Sequence, residues 1–425
     1  MKKYLFLSAM VIIILTGVVG HRAGLDFIGA GYLKAEDQPP PQRGKLENIK
    51  KGLKDPNPEI RQEAIAALIK LGAKEEVGEI KKLLKDEDAG VRGAAAFALG
   101  KLGAKEEIGA IKKLLKDDNP RVHGPAIYSL YALGEWSLEE ATGQIKKLLT
   151  NDEARVRTAA VFLLGELKAT GTIEELKKML ADNDADVRIA AIVTLGKLAG
   201  KESINEIKKL LSDPDPYVRI AAAGILGELK DRESLGEIKK LLQDSQTEVR
   251  AAAIIILMGL EAKNAVPDIK KLLSDQDAGI RAAAISALVS LEAKETIGEI
   301  RKLLKDSSPE VRSASVYALG KLEAKEAVED LKKILKNEPE GSIRFASVMV
   351  LINLQGREAI EKEDLTRLLQ DKEPEIRYNT LGLLVKIMGI ERTKAHREDI
   401  KKLAQDENKQ VSALAAVILK ELDAK

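Results

Sequence analysis

The residues best suited to bond-making chemistry are scarce in this 425-residue chain, which has three histidines, one tryptophan and no cysteine. His21 lies beside an apolar N-terminal run, His123 interrupts a recurring pattern, and His396 sits in the charged stretch Lys394 to Glu398. No two are at metal-ligand spacing and none forms a His-Glu pair, so no metal centre is expected. The lack of cysteine removes thiolate nucleophiles and disulfides. There is no nucleophile elbow, phosphate-binding loop or dinucleotide fingerprint, so neither a catalytic residue nor a cofactor is expected. What recurs instead is guanidinium with carboxylate. The phrase Asp-x4-(Val/Ile)-Arg, usually followed by x-Ala-Ala, runs from Asp55 to Arg61 and from Asp86 to Arg92, and returns about every 31 residues. A guanidinium near a repeat boundary needs a planar acceptor, which is structural chemistry and not reactive chemistry.

A fixed period of this length is the signature of a stacked solenoid. The arginine position passes through Arg61, Arg92, His123, Arg157, Arg188, Arg219, Arg250, Arg281, Arg312, Arg344, Arg377 and Ser412, which makes twelve units. The acid six residues earlier is replaced by Asn151 once, and by Asn337 with one extra residue in between. Each unit reads as two short helices. Ile80, Leu83 and Leu84 share one face of a first helix, while Lys81 and Lys82 point away. Asn57, Asp88 and Asp184 sit where the second helix needs an N-cap, and Pro58, Pro120 and Pro216 fall at its first position. Counting the arginine as zero, positions −1, 3, 7 and 10 are apolar, as in Val187, Ala191, Leu195 and Leu198. They form one stripe toward the core. Alanines at positions 2 and 3 let units stack at the low end of roughly 8–10 Å helix spacing. The expected fold is all-α, an α-solenoid of about twelve two-helix repeats spanning 44–425.

Over that span the units resemble HEAT repeats, specifically the short bacterial phycobilin-lyase-like kind. The resemblance implies a structural ladder between neighbouring units. It would draw on Asp86, Arg92, Arg157, Asp182, Arg188, Asp213, Arg219, Asp244, Arg250, Asp275, Arg281, Asp306 and Arg312, with Asp86 facing Arg61 or Arg92. Removing Arg250 should then loosen the middle of the array. No activity follows from the resemblance. The related deoxyhypusine hydroxylase holds iron on His-Glu motifs that this chain lacks, and a bilin lyase needs a pigment and an acceptor protein.

In HEAT-like arrays the second helix lines the concave side. Its stripe opposite the core, positions 1, 5, 8 and 12, is here partly aromatic. Phe97, Tyr128, Phe162 and Tyr317 are at position 5, Phe345 and Tyr378 at position 1, and Tyr131 at position 8. Trp136 lies in an inserted stretch after the third unit, whose helix also carries Pro125. Exposed rings on adjacent units mark a contact site, and these eight residues are the expected partner-binding set. The competing reading packs the rings between units. Serine at Phe97, Tyr128 and Phe162 separates the two, because only surface rings can be lost without loss of stability.

Lys2 and Lys3 precede an apolar run from Tyr4 to Gly20, as in a secretory signal or an uncleaved anchor over 1–22, with a proline-containing linker over 23–43. Export is therefore expected: periplasmic or secreted, or anchored in the inner membrane with a periplasmic solenoid. The formal charge is only +2. Paired lysines such as Lys81-Lys82 and Lys270-Lys271 read as a solvated convex face, or as a ladder for a polyanion. Three functions remain open. The first is an exported monomeric adaptor for a protein or extended peptide. The second is an envelope polyanion or glycan binder. The third is a lyase-like accessory protein. Nucleic acid is not the expected partner, and a membrane is expected only through the N-terminal segment.

Overall fold

The computed structural model describes residues 46–424, and the N-terminal segment, the linker and His21 lie outside them. All regular structure among the described residues is helical. The helices fall into two compact units, one ending at Leu260 and the other beginning at Glu261, where the sequence reading drew a single span. Seven helix pairs occupy the first unit and five the second. The fold is an all-α solenoid built from these pairs.

One pair stands for most of them. Its first member is the helix Val77–Lys82, tightening into a 3₁₀ turn over Leu83–Lys85, with Ile80 and Leu84 buried. Its second member is Ala89–Leu102. The side chain of Asp88 accepts the Val91 N–H at 2.9 Å, satisfying a backbone donor that the helix cannot pair itself. Val91, Ala95, Leu99 and Leu102, the stripe expected from the period, are buried. The helix closes at Gly103, whose φ of 76° lies in the left-handed region. In later repeats Lys168, Lys230, Glu261, Glu292 and Glu323 take that left-handed role, with φ of 51–58°.

The third repeat departs from this plan. Its second member begins as a 3₁₀ turn, Pro120–Val122, and continues as a short helix, His123–Ala132. Pro125 lies in the first turn of that helix, where its missing N–H breaks no helical bond. No described helix is long and apolar enough to cross a membrane.

Candidate functional site

The arginines are spent on holding repeats together. Arg92 Nε and Nη2 donate to both carboxylate oxygens of Asp117 in the next repeat, at 2.8 and 2.7 Å. Its Nη1 donates to the carbonyls of Asp86 and Glu87, tying down the turn of its own repeat. Asp117 in turn accepts the N–H of Asn119 at 3.0 Å. Each acid therefore serves its own turn and the previous repeat's arginine. Arg157–Asp182, Arg188–Asp213, Arg219–Asp244, Arg281–Asp306 and Arg377–Asp406 have the same two-pronged geometry. Asp86 takes Arg61, through Nη2 alone. Arg250 Nη1 donates to the Asp244 carbonyl, and Asp275 accepts the Asp277 N–H. The Arg92 guanidinium holds the Asp117 carboxyl below the ordinary aspartate range, against the opposing effect of burial.

Two places depart from the sequence pattern. Glu338, one residue past Asn337, stands six residues before Arg344 and so holds the acid's own place, accepting both prongs of Arg312 at 2.8 and 2.7 Å. At the third repeat His123 Nε2 donates to the Asp117 carbonyl at 2.7 Å and so keeps only the turn-holding half of the arginine's work.

The lysine face carries a second set of links. Lys146 reaches Glu175 at 2.6 Å and Lys270 reaches Glu299 at 2.6 Å, each pair joining the first helices of successive repeats, and Lys81 reaches Glu107, at the turn that opens the next first helix, at 2.8 Å. Arg301 does the same with Asp330 at 2.7 Å. Each link cancels a positive charge where a polyanion would need it.

The aromatic stripe divides. Phe97 and Tyr128 are 2% and 6% exposed, which corrects the expectation that they form an open contact surface. Their rings pack at 4.7 Å, and the Lys101 ammonium lies 5.3 and 5.1 Å from the two centroids. Lys101 is fastened by Glu166 at 2.8 Å, a bond that skips the third repeat. Burial opposes its charge, but Glu166 and Tyr128 outweigh burial and raise its pKa. Close approach makes this packing possible: a Cβ on Gly100 would stand 2.8 Å from the Ser129 Cα. Ser129 instead donates to the Ala96 carbonyl at 2.7 Å. Phe162, Tyr131 and Trp136 are half-buried, and Trp136 packs on the core of the first repeats. In the second unit the stripe opens. Tyr317 is 59% exposed, Tyr378 42% and Val417 55%, with Met349 exposed and Phe345 half-buried between them.

The family model for HEAT repeats matches residues 46–131, 141–211, 204–289 and 266–352, well over half of the chain. The chain belongs to the HEAT-repeat family. No curated protein sequence matches this HEAT solenoid. Among solved structures it is similar to Kap95p in complex with RanGDP, at 13% identity and a TM-score of 0.51 over 99% of this chain and 69% of that one. It is also similar to the karyopherin Kap121p bound to the SUMO protease Ulp1p, at 14% identity and a TM-score of 0.45 over 94% of this chain and 51% of that one. The CpcE–CpcF complex of phycocyanin lyase from Nostoc sp. PCC7120 is 22% identical, with a TM-score of 0.31 over 50% of this chain and 88% of that one. The Kap95p likeness extends to the fold.

Two sequence signals of the HEAT surface escape a reading based on aromatics. Positions 1 and 5 of the second helix carry no charged residue in any of the twelve repeats, although 32% of the chain is charged. Position 8 is glycine at Gly100, Gly165, Gly196, Gly227 and Gly320, and an added Cβ at each would stand within 3.1 Å of the next repeat. In the other repeats that position holds Ile69, Tyr131, Met258, Val289, Ile352, Val385 and Lys420.

Proposed function

We propose that this HEAT solenoid is a non-catalytic protein-binding scaffold, and that its contact surface is the uncharged band of second helices in the second unit. The observation that carries this reading is the exposure of Tyr317, Met349, Tyr378 and Val417 on four successive repeats, at 59%, 38%, 42% and 55%. Large apolar side chains held in water by a folded chain mark a contact site when they are contiguous and free of charge. The arginines and their acids are engaged in the repeat boundaries, and the described lysines Lys81, Lys146 and Lys270 are matched from repeat to repeat. That arrangement favours the band over the lysine face as the binding surface.

The test is the double substitution Tyr317→Ser and Tyr378→Ser. Stability should change by no more than about 1 kcal/mol, as for surface sites, while capture of a protein ligand by the purified chain is lost. A large fall in melting temperature, or capture that survives, removes the band as the site. Export is part of the same proposal, resting on Lys2, Lys3 and the apolar run to Gly20. N-terminal sequencing of material from the extracytoplasmic fraction checks it, and recovery of an intact Met1 species only from cytoplasm overturns it.

A further inference from the structure

The band in the second unit has a charge frame. On the helix Pro309–Lys321 the exposed face runs through Glu310, Ser313, Tyr317 and Lys321, at i, i+3, i+7 and i+11. The helix Pro374–Leu383 and the π-turn that continues it, Leu384–Met388, repeat the order with Glu375, Tyr378 and Lys386. The helix between them, Gly341–Gln355, and the one after them, Lys409–Asp423, add Met349 and Val417 to the apolar row. Glu310 and Glu375 therefore border the row on one side, and Lys321 and Lys386 on the other. None of the four makes an ion pair among the described residues, although many surface charges of this chain are matched across repeats. The Lys321 ammonium lies 5.4 Å from the Tyr317 ring.

We infer that the occupant of this band is an amphipathic α-helix of about twenty residues with one acidic and one basic edge. The inference rests on the protein-binding reading and names the partner's chemistry. Length sets the size. Four helices side by side at roughly 8–10 Å spacing make a row of about 30 Å, the length of a twenty-residue helix. Backbone chemistry sets the conformation. An extended segment must find partners for its N–H and C=O groups. Here Phe345, Tyr378, Met349 and Val417 face it, with no asparagine or glutamine at positions 1 or 5 of these four helices and no strand edge among the described residues. A helix arrives with its backbone already paired and offers an apolar stripe to a helical groove. The unmatched rim charges then set direction, the partner's acidic edge lying along Lys321 and Lys386 and its basic edge along Glu310 and Glu375.

The probe is a labelled twenty-residue peptide with leucines at i, i+3, i+4 and i+7, glutamates along one edge and lysines along the other. Its binding to the full chain is read by fluorescence anisotropy. Two further peptides complete the set, one with two central prolines and one with lysines on both edges. The mixed-edge helix should bind, and the prolines should weaken it at least about tenfold, the scale of one lost hot-spot contact. Tyr317→Ser with Tyr378→Ser should weaken it by a similar factor, with helicity unchanged by circular dichroism. Lys321→Glu with Lys386→Glu should transfer preference to the peptide with two basic edges. Equal binding of the proline peptide, still dependent on both tyrosines, overturns the helical occupant and leaves the surface reading standing. No binding of the mixed-edge helix, or no shift of preference with the lysine variant, overturns the inference. Binding indifferent to both tyrosines overturns the inference and the surface reading together.

Discussion

Phe97 and Tyr317 occupy the same position in their repeats, yet Phe97 is 2% exposed and Tyr317 59%. The difference lies in what stands over each ring. Phe97 has Tyr128 beside it and Lys101 across it, fastened to Glu166. At the positions equivalent to Tyr317 the preceding repeat has only Ser286 and the following one Met349. Phe97→Ser should therefore cost about 3 kcal/mol or more in urea unfolding, the range for truncating a buried aromatic. His396 is a second buried case, at 2% exposure. Burial pushes its pKa below 6.5, with Asp399 and Glu363 opposing and Lys362 assisting. A histidine with a lowered folded pKa contributes stability that is complete above the unfolded value near 6.5 and is lost as pH falls through the folded value. Urea midpoints at pH 7.5 and 5.5 should drop with acid in the wild type. The drop should be smaller in His396→Gln.

At the scale of the helix, glycine at position 8 lies hard against the next repeat. A Cβ on Gly196 would meet Ile225 Cγ2 at 2.6 Å, whereas a Cβ on Gly78, in a first helix, would meet nothing within 4 Å. The two sites should respond with opposite signs. Gly196→Ala should destabilise by about 1–3 kcal/mol through overpacking, outweighing its better helix propensity. Gly78→Ala should stabilise by up to about 1 kcal/mol, because only propensity changes. Paired thermal melts of the two variants measure this. If Gly196→Ala is neutral, close approach is not what the glycine is for.

Across the whole molecule, two kinds of ion pair link repeats, and they differ in what surrounds them. The Arg188 and Asp213 side chains are 11% and 5% exposed, while Lys146 and Glu175 are 35% and 34% exposed. Removing Arg188 strands a buried carboxylate, so Arg188→Ala should cost about 3–5 kcal/mol. Lys146→Ala should cost about 1 kcal/mol or less, as exposed pairs do. Raising NaCl to 1 M should erase the Lys146 effect and leave most of the Arg188 effect, since salt screens exposed charges far more than buried ones. Denaturant titrations of both variants at low and high salt check the contrast. An Arg188→Ala penalty that disappears in salt would put the arginine ladder on the surface.

The repeat, the all-α class, the buried stripe of Val91, Ala95, Leu99 and Leu102, and the caps at Asp88 and Gly103 can all be derived from residue order. Each depends on spacing within one helix or one turn, and helical periodicity is a local property of the chain. The glycines at position 8 and the charge-free positions 1 and 5 were equally legible, but their meaning depends on a neighbour 31 residues away. Only the folded chain decides that Lys101 and Glu166 close over Phe97, and that Tyr317 and Tyr378 stay in water. The physical reason is the same in each case. Exposure and pairing at a repeat boundary are set by the distance of approach between two helices, and that distance is a sum over side chains that no single repeat contains.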